Sequence, residues 1–271
     1  MPGFQDLHTH TNFSDGTRPP EDMIEEAISK GCDSLGISDH SYVTFDENFS
    51  MSPEKTHEYI RVINSLKAKY EGRIEILLGI EQDYHTAWLP EGLDYAIGAA
   101  HYVKMGDEYI SVDSGAKYQQ RKVDTYFAGD HYAMAEKYFS TIAGIMEVTN
   151  ADFIGHFDLI AKYNFDGVLF DEMHPRYVSA ALDAMNEILK RNNIFEVNTG
   201  MMFRHNKPEP YPSVFLLKEL HKRGGEVILS SDSHVAEGLC HNFGKMREML
   251  KECGYSYIKR LTKNGFTNDK L

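Results

Sequence analysis

The sequence predicts an α/β fold built on a parallel sheet, either a barrel or a doubly wound sheet. Short apolar segments alternate with amphipathic segments along all 271 residues. Several apolar segments, such as Ile74–Ile80, are almost continuously hydrophobic, as strands buried on both faces are. No linker rich in Pro, Gly or Ser divides the chain. The repeated strand-then-helix order therefore predicts a single domain over residues 1–271.

The apolar segments predict seven strands. They cover Gln5–His10, Ser34–His40, Ile74–Tyr84, Tyr95–Val103, Phe153–Ile160, Ile194–Thr199 and Val227–Asp232. The connection between the third and the fourth strand is too short for a full helix, so a barrel would be irregular there.

The amphipathic segments predict helices between and after these strands. They begin near Pro19, Ser52, Tyr132, Arg176, Ser213 and His241. Proline in the first turn and glycine after the last turn support several of these boundaries. The long connection 103–130 is rich in charged residues and tyrosine and is predicted to cover a site as a lid. Residues 241–271 are predicted to form a C-terminal helix and a tail.

The composition excludes several classes of partner. Lys and Arg number 28 against 41 Asp and Glu, which gives a net charge of −13. This charge disfavours nucleic acid and anionic membranes, because binding to their phosphates needs a basic face. The chain has no apolar run near the ~18 residues of a membrane span, and its start does not resemble a signal peptide. Three cysteines without C-x-x-C spacing fit a reducing compartment, so we expect a cytoplasmic protein.

Histidine and acidic residues gather at the ends of the predicted strands. In parallel α/β folds the carboxyl ends of the strands meet at one rim, where functional sites are built. The residues placed there are His8, His10, His40, Glu81, His101, His156, Asp232 and His234. His8 and His10 are two positions apart on one strand, so their rings share a face.

This set of side chains predicts a metal site. With Asp15, it offers six imidazoles and three carboxylates. Imidazole with carboxylate suits Zn, Mn or Fe better than Mg or Ca. One ion takes roughly four to six ligands, so the set indicates two or three divalent ions with a bridging carboxylate. A single strand histidine is usually structural, but six at strand ends argue for metal binding.

Four short motifs resemble those of the polymerase and histidinol phosphatase (PHP) superfamily. They are Asp6–His10, Phe13–Gly16, Ile37–His40 and Ser231–His234. Other segments are similar to its histidinol-phosphatase branch, namely Met51–Ile60, Leu78–Tyr84, Gly155–Ile160, Phe195–Gly200 and Pro210–Ser213. The resemblance runs from about residue 6 to residue 234. It implies a distorted (β/α)7 TIM-like barrel with a trinuclear metal cluster at the carboxyl ends of its strands.

The resemblance also implies how the ligands are shared among Zn, Mn or Fe ions. One ion would be held by His8, His10, Glu81 and Asp232, a second by Glu81, His101 and His156, and a third by Asp15, His40 and His234.

The reaction implied by the resemblance is hydrolysis of a small phosphate monoester by metal-bound hydroxide. Asp232 is predicted to accept or relay a proton, and His205 to donate one to the leaving alcohol. Arg204 is predicted to clamp the phosphate with its forked donors, and Lys162 to assist it.

Three functions stay open at this point. The first is hydrolysis of L-histidinol phosphate in histidine biosynthesis. The second is hydrolysis of another small phosphomonoester or a nucleotide. The third is a metal-binding module with little catalysis of its own. Met201–Phe203 are bulkier than the branch pattern, in a loop expected to lie over the substrate pocket.

Overall fold

The computed structural model describes residues 3–271 as alternating strands and helices. The strands are β1 (Phe4–Asp6), β2 (Cys32–Ile37), β3 (Glu75–Leu78), β4 (Glu81–Asp83), β5 (Ile97–Ala99), β6 (Tyr102–Met105), β7 (Glu108–Ser111), β8 (Phe153–Ile154), β9 (Ile194–Asn198), β10 (Glu226–Ser230), β11 (Tyr257–Thr262) and β12 (Gly265–Lys270). The helices are α1 (Pro20–Ser29), α2 (Pro53–Lys69), α3 (Ala116–Phe127), α4 (His131–Ala143), α5 (Ile145–Val148), α6 (Pro175–Leu189), α7 (Gly200–His205), α8 (Val214–Lys222) and α9 (Phe243–Glu252). Short 3₁₀ turns cover Leu159–Ala161, Phe165–Gly167 and Ala236–Gly238.

Parallel strands form a distorted (β/α)7 barrel, which confirms the predicted fold class. β1, β2 and β3 pair in that order, and β4, β5, β8, β9 and β10 form a second parallel ladder. The two ladders meet through single bridges, Thr9 with Ser233 and His40 with Glu81. β3 and β4 are halves of one strand, since the chain leaves β2 after β3 and pairs with β5 through β4. In residues 84–96, after β4, the structure has no helix, as the short connection predicts.

Local sequence explains where the helices begin. Pro53 stands in the first turn of α2, and the side chain of Ser52 caps it by accepting the backbone N–H of Lys55. Asp130 caps α4 in the same way by accepting the N–H groups of Tyr132 and Ala133. Among residues 3–271, no helix has the length and apolar character that a membrane span requires.

The predicted strands exist, but most end earlier than predicted. The predicted strand Phe153–Ile160, for example, shortens to Phe153–Ile154. Beyond it the backbone leaves the ladder, and the N–H of His156 donates to the side chain of Glu196 instead of to a neighbouring strand. Hydrophobicity alone does not reveal this change of partner, because the residues stay buried on both sides of it.

Two predicted segments have more structure than expected. The connection 103–130 holds most of the antiparallel β6–β7 hairpin and helix α3, which packs on α4. The predicted C-terminal tail holds a second hairpin, β11–β12, whose first strand extends the sheet by pairing with β10. Hydrophobic periodicity missed both hairpins because their strands are short or largely exposed.

The bottom of the barrel interior is filled around Tyr95. Its ring lies against the backbone of Gly36 and Gly79, and its hydroxyl donates to the carbonyl of Leu7. A Cβ atom at either glycine would overlap this ring. The glycines therefore allow one large side chain to join β1, β2 and the break between β3 and β4.

We predict that Gly79→Ala lowers the free energy of unfolding by about 1–3 kcal/mol, because the added methyl group overpacks the barrel against Tyr95. Gly244→Ala in α9 is the control, since a Cβ there meets nothing within 4 Å, and its effect should stay within about 0.5 kcal/mol. Urea unfolding of both variants measures the difference. Equal stability of the two variants would contradict the packing role of Gly79.

Candidate metal centre and substrate cavity

All predicted metal ligands meet at the carboxyl-terminal mouth of the barrel. Their donor atoms form four groups in which every atom lies within 4.8 Å of the others. The groups are His10, Asp15, His40 and His234; His8, Glu81 and His156; His8, His10 and Asp232; and His40, Glu81 and His101. Because the groups share members, the arrangement is that of neighbouring sites with common ligands rather than of isolated pairs.

Glu81 lies at the centre of this arrangement and is 1% exposed. Its Oε2 atom lies 2.8 Å from Nδ1 of His40 and 3.4 Å from Nε2 of His8. Its Oε1 atom lies 2.7 Å from Nε2 of His156 and 3.4 Å from Nε2 of His101. Burial would raise the pKa of this carboxyl, but the surrounding imidazoles outweigh burial and hold its pKa well below the ordinary value. Glu81 is therefore an ionised acceptor shared by imidazoles from several strands.

Unpaired buried atoms show that the site fits a cation. Within residues 3–271, Nε2 of His8 and both ring nitrogens of His10 have no hydrogen-bond partner. A buried polar atom left unpaired costs roughly 1–3 kcal/mol. A neutral imidazole keeps a lone pair on one ring nitrogen, so each of these rings could give one nitrogen to a bound cation. Burial, with His234 and His40 nearby, lowers the pKa of His10 to about 3. His10 is thus neutral at pH 7, the form in which imidazole binds metal.

The pKa values of His101 and Asp232 shift in opposite directions because each group lies beside groups of opposite charge. Burial disfavours the charged form of His101, but Glu81 and then Asp83 outweigh burial and raise its pKa to about 9. The pKa of Asp232 falls well below its ordinary value because Arg204, then His8, outweigh the effect of burial. Without metal, the cluster thus balances its carboxylates with protons on some of its histidines, and metal binding would replace those protons.

Several carboxylates behind the cluster orient the predicted ligands. Asp83 accepts the backbone N–H of His101 at 2.9 Å, and its Oδ2 lies 3.1 Å from Nδ1 of the same ring. Glu196, which the sequence did not single out, lies 2.6 Å from Nδ1 of His8. Its sequence signals are an acid inside a buried apolar strand and its position in the branch-like segment Phe195–Gly200. Asp6 contacts no histidine ring of the cluster and instead accepts hydrogen bonds from Ser231 and Cys240.

A cavity of about 340 Å³ opens over the cluster. Arg204 and Lys162 line it together with most of the predicted ligands, as the sequence analysis expected. Nη2 of Arg204 lies 3.0 Å from Oδ2 of Asp232. Nζ of Lys162 lies 3.2 Å from Oδ2 of Asp113. The cavity wall therefore carries two cations beside the donor cluster, each held in place by a carboxylate.

The structure does not bring His205 to this cavity. Its side chain is exposed, with its ring centroid 6.3 Å from that of Tyr163. The reason is helical geometry, because consecutive residues of α7 point about 100° apart and Arg204, not His205, faces the cavity. Met201 and Met202 are buried in the core rather than lying over the cavity. Steric reshaping of the pocket by these methionines is therefore not observed.

A parallel barrel with histidines and carboxylates gathered at its mouth belongs to the class of folds that can hold divalent metal ions at the ends of their strands. The sequence model described as PHP domain matches residues 6–200. This match covers well over half of the chain, and the chain belongs to the PHP domain family.

Individual relatives are similar to this chain along most of their length. A Deinococcus radiodurans protein named "Probable histidinol-phosphatase" is 27% identical over 265 residues, covering 94% of this chain and 95% of the relative. The histidinol-phosphatase of Lactococcus lactis is 25% identical over 279 residues, covering 98% of this chain and 96% of the relative. A crystal structure of histidinol phosphate phosphatase from Lactococcus lactis, complexed with zinc, L-histidinol and phosphate, superimposes with a TM-score of 0.76 at 21% identity, covering 98% of this chain and 100% of the other.

We predict that zinc stabilises the chelator-treated protein. At a free zinc concentration near 100 times the dissociation constant, binding adds about 2.7 kcal/mol, which raises the unfolding midpoint by roughly 5–10 °C. Magnesium at the same concentration should raise it much less, because it prefers oxygen ligands. Differential scanning fluorimetry measures both midpoints. An unchanged midpoint with zinc, or an equal rise with magnesium, would contradict an imidazole-rich metal site.

Proposed function

We propose that this protein is a metal-dependent phosphomonoesterase that hydrolyses L-histidinol phosphate to L-histidinol and phosphate. The observation that carries the proposal is the convergence of six imidazoles and three carboxylates in one cluster, over which a cavity lined by Arg204 and Lys162 opens. The substrate is proposed from the relatives, which are named as histidinol-phosphatases or probable histidinol-phosphatases and are similar to this chain along nearly their whole length. The Lactococcus structure, which holds zinc, L-histidinol and phosphate, supports the same substrate.

We assign two to three divalent ions, Zn, Mn or Fe, to the cluster. The proposed ligands of the first are His8, His10, Glu81 and Asp232; of the second, Glu81, His101 and His156; and of the third, Asp15, His40 and His234. Distances in the third set support this division, since carboxylate oxygens of Asp15 lie 3.5 Å from Nε2 of His40 and 3.2 Å from Nε2 of His234. In the first set, Oδ1 of Asp232 lies 3.4 Å from Nε2 of His10.

Bound divalent ions would supply Lewis acidity, which acidifies a water molecule and offsets charge on the phosphoryl oxygens. The protein supplies position and charge. Asp232 stays ionised and holds the Arg204 guanidinium through Nη2, while its other oxygen faces His10. A carboxyl with such a low pKa is a weak base, so ligation and orientation of Arg204 are its main proposed roles, and proton transfer through it stays a prediction.

Arg204 is the proposed phosphate clamp. Burial disfavours its charge, but Asp232 outweighs burial and raises the pKa of the guanidinium. Its Nη1 atom lies 3.1 Å from the carbonyl oxygen of Asp232 and 2.7 Å from Nδ1 of His234. Its Nε–H has no partner among the described residues. The guanidinium is thus fixed at the edge of the cluster, on the wall of the cavity where a phosphoryl oxygen would bind. Lys162, on the same cavity, is the second proposed phosphate contact.

We predict that the zinc- or manganese-loaded protein hydrolyses L-histidinol phosphate with a kcat/KM at least about 100-fold above that for other phosphomonoesters, because a pocket built to bind a substrate's polar groups rejects analogues that lack them. A release assay for inorganic phosphate tests histidinol phosphate, a nucleoside monophosphate and p-nitrophenyl phosphate, with a phosphodiester as control. Weak, equal turnover of all monoesters would favour another phosphatase activity. No turnover with any metal would favour a metal-binding module.

We predict that Arg204→Ala lowers kcat/KM for the preferred monoester by roughly 100- to 1,000-fold, because one positioned donor to a developing oxyanion contributes about 3–4 kcal/mol. Arg223→Ala is the control, since Arg223 pairs with Glu219 on α8 and does not line the cavity. Steady-state kinetics measures both variants after the metal content has been matched. Unchanged kcat and KM in Arg204→Ala would contradict the proposed role of Arg204 in binding the phosphate.

A further inference from the structure

Glu196 is a buried carboxylate that belongs to none of the proposed ligand sets. It lies in β9 and is 0% exposed. Side chains alternate along this strand: Phe195 and Val197 pack in the hydrophobic core, whereas Glu196 and Asn198 face the donor cluster. An ionised group in this position is costly unless donors surround it.

Three donors converge on this carboxylate. Oε1 lies 2.6 Å from Nδ1 of His8. Oε2 accepts the backbone N–H of His156 at 2.8 Å and Nδ2 of Asn198 at 2.9 Å. Nδ2 of Asn198 also lies 3.2 Å from Oδ2 of Asp232. The carboxylate thus contacts two proposed ligands directly and a third through one amide.

The contact to His8 determines which ring nitrogen faces the cluster. A carboxylate oxygen only accepts, so Nδ1 of His8 must carry the proton and donate it to Glu196. In the neutral ring, the form in which imidazole binds metal, Nε2 then keeps a free lone pair. That atom is buried, has no hydrogen-bond partner within residues 3–271, and lies 3.4 Å from Oε2 of Glu81. The hydrogen bond therefore aims the donor atom of His8 at the cluster.

The neighbouring strand leaves room for this carboxylate. Gly155 in the segment after β8 faces it, and a Cβ there would lie 3.6 Å from Oε2 of Glu196 and 3.0 Å from Cγ2 of Ile97. The tighter of these two contacts is with Ile97, so the glycine allows the segment after β8, which carries His156, to pack closely against β5.

We propose that Glu196 is a positioning residue of the metal centre: it fixes the ring of His8, the backbone of His156 and, through Asn198, the carboxylate of Asp232. One residue of β9 thereby holds in place the proposed ligands that follow β1, β8 and β10. This inference rests on the metal site proposed above but not on the identity of the substrate.

Glu196→Gln separates positioning from packing, because it keeps the size of the side chain. A glutamine has one acceptor oxygen, so it cannot satisfy the donors of His8, His156 and Asn198, and its amide group must face one of them as a second donor. Loss of such a supporting carboxylate typically weakens metal binding about 10- to 100-fold. Asp152→Asn is the control, since Asp152 also accepts a backbone N–H, from Ala96 at 2.8 Å, but contacts no proposed ligand.

The experiment measures zinc dissociation constants by competition with a chromophoric chelator, below the unfolding midpoint of each variant, and visible spectra of the cobalt-substituted proteins. We expect Glu196→Gln to bind zinc about 10- to 100-fold more weakly, with changed cobalt ligand-field bands, and Asp152→Asn to match the wild type in both. Asn198→Ala should give a smaller loss, and it carries the test if Glu196→Gln does not fold.

The outcomes separate this inference from the proposed function. Wild-type affinity and an unchanged cobalt spectrum in Glu196→Gln would overturn the positioning role, as would an equal loss in Asp152→Asn. A wild-type protein that binds no zinc would instead contradict the metal site itself. Failure to hydrolyse histidinol phosphate affects neither measurement.

Discussion

The structure depends on one buried negative charge, the carboxylate of Glu81, and on the need to surround it. Glu81 begins β4, where the third barrel strand leaves β2 and pairs with β5, and it bridges to His40 at that break. The same residue thus joins the two halves of the sheet and contacts imidazoles from most of the barrel's strands. A neutral residue here would leave those imidazoles facing one another without a shared acceptor.

Buried carboxylates also organise the ends of the other strands. There they accept backbone N–H groups that no longer pair with a neighbouring strand. Where the strands diverge, their backbone N–H groups lose their neighbours, and buried side chains accept them instead. The pairs are Thr11 N–H with Asp39, His101 N–H with Asp83, His156 N–H with Glu196 and Ser231 N–H with Asp6. Each of these N–H groups belongs to a proposed ligand or to a residue next to one. The groups that end the sheet therefore also fix the cluster of proposed metal ligands.

This principle explains how far the sequence could predict the molecule. Ligands at strand ends were predictable because parallel strands converge at one rim. Asp15 was counted with them as a carboxylate donor, but it lies in a loop, so strand-end placement did not locate it. Supporting carboxylates such as Glu196 were not distinguishable, since an acid in a buried strand has the same pattern whether it binds metal or a backbone N–H. His205 was expected at the site but is exposed, because the helical geometry that directs Arg204 inward turns the next residue to the solvent.

The distribution of charge also limits what kind of phosphate can bind. A net charge of −13 opposes a long polyanion, which would contact much of the surface. A small monoester meets only the cavity, where Arg204 and Lys162 are each already paired with a carboxylate, Asp232 and Asp113. Two such pairs contribute little net positive potential, so most of the attraction for a dianionic phosphate must come from bound divalent ions. Substrate binding should therefore depend on metal occupancy more than on either basic side chain, which would couple affinity for the phosphate to the carboxylates that hold the ligands in place.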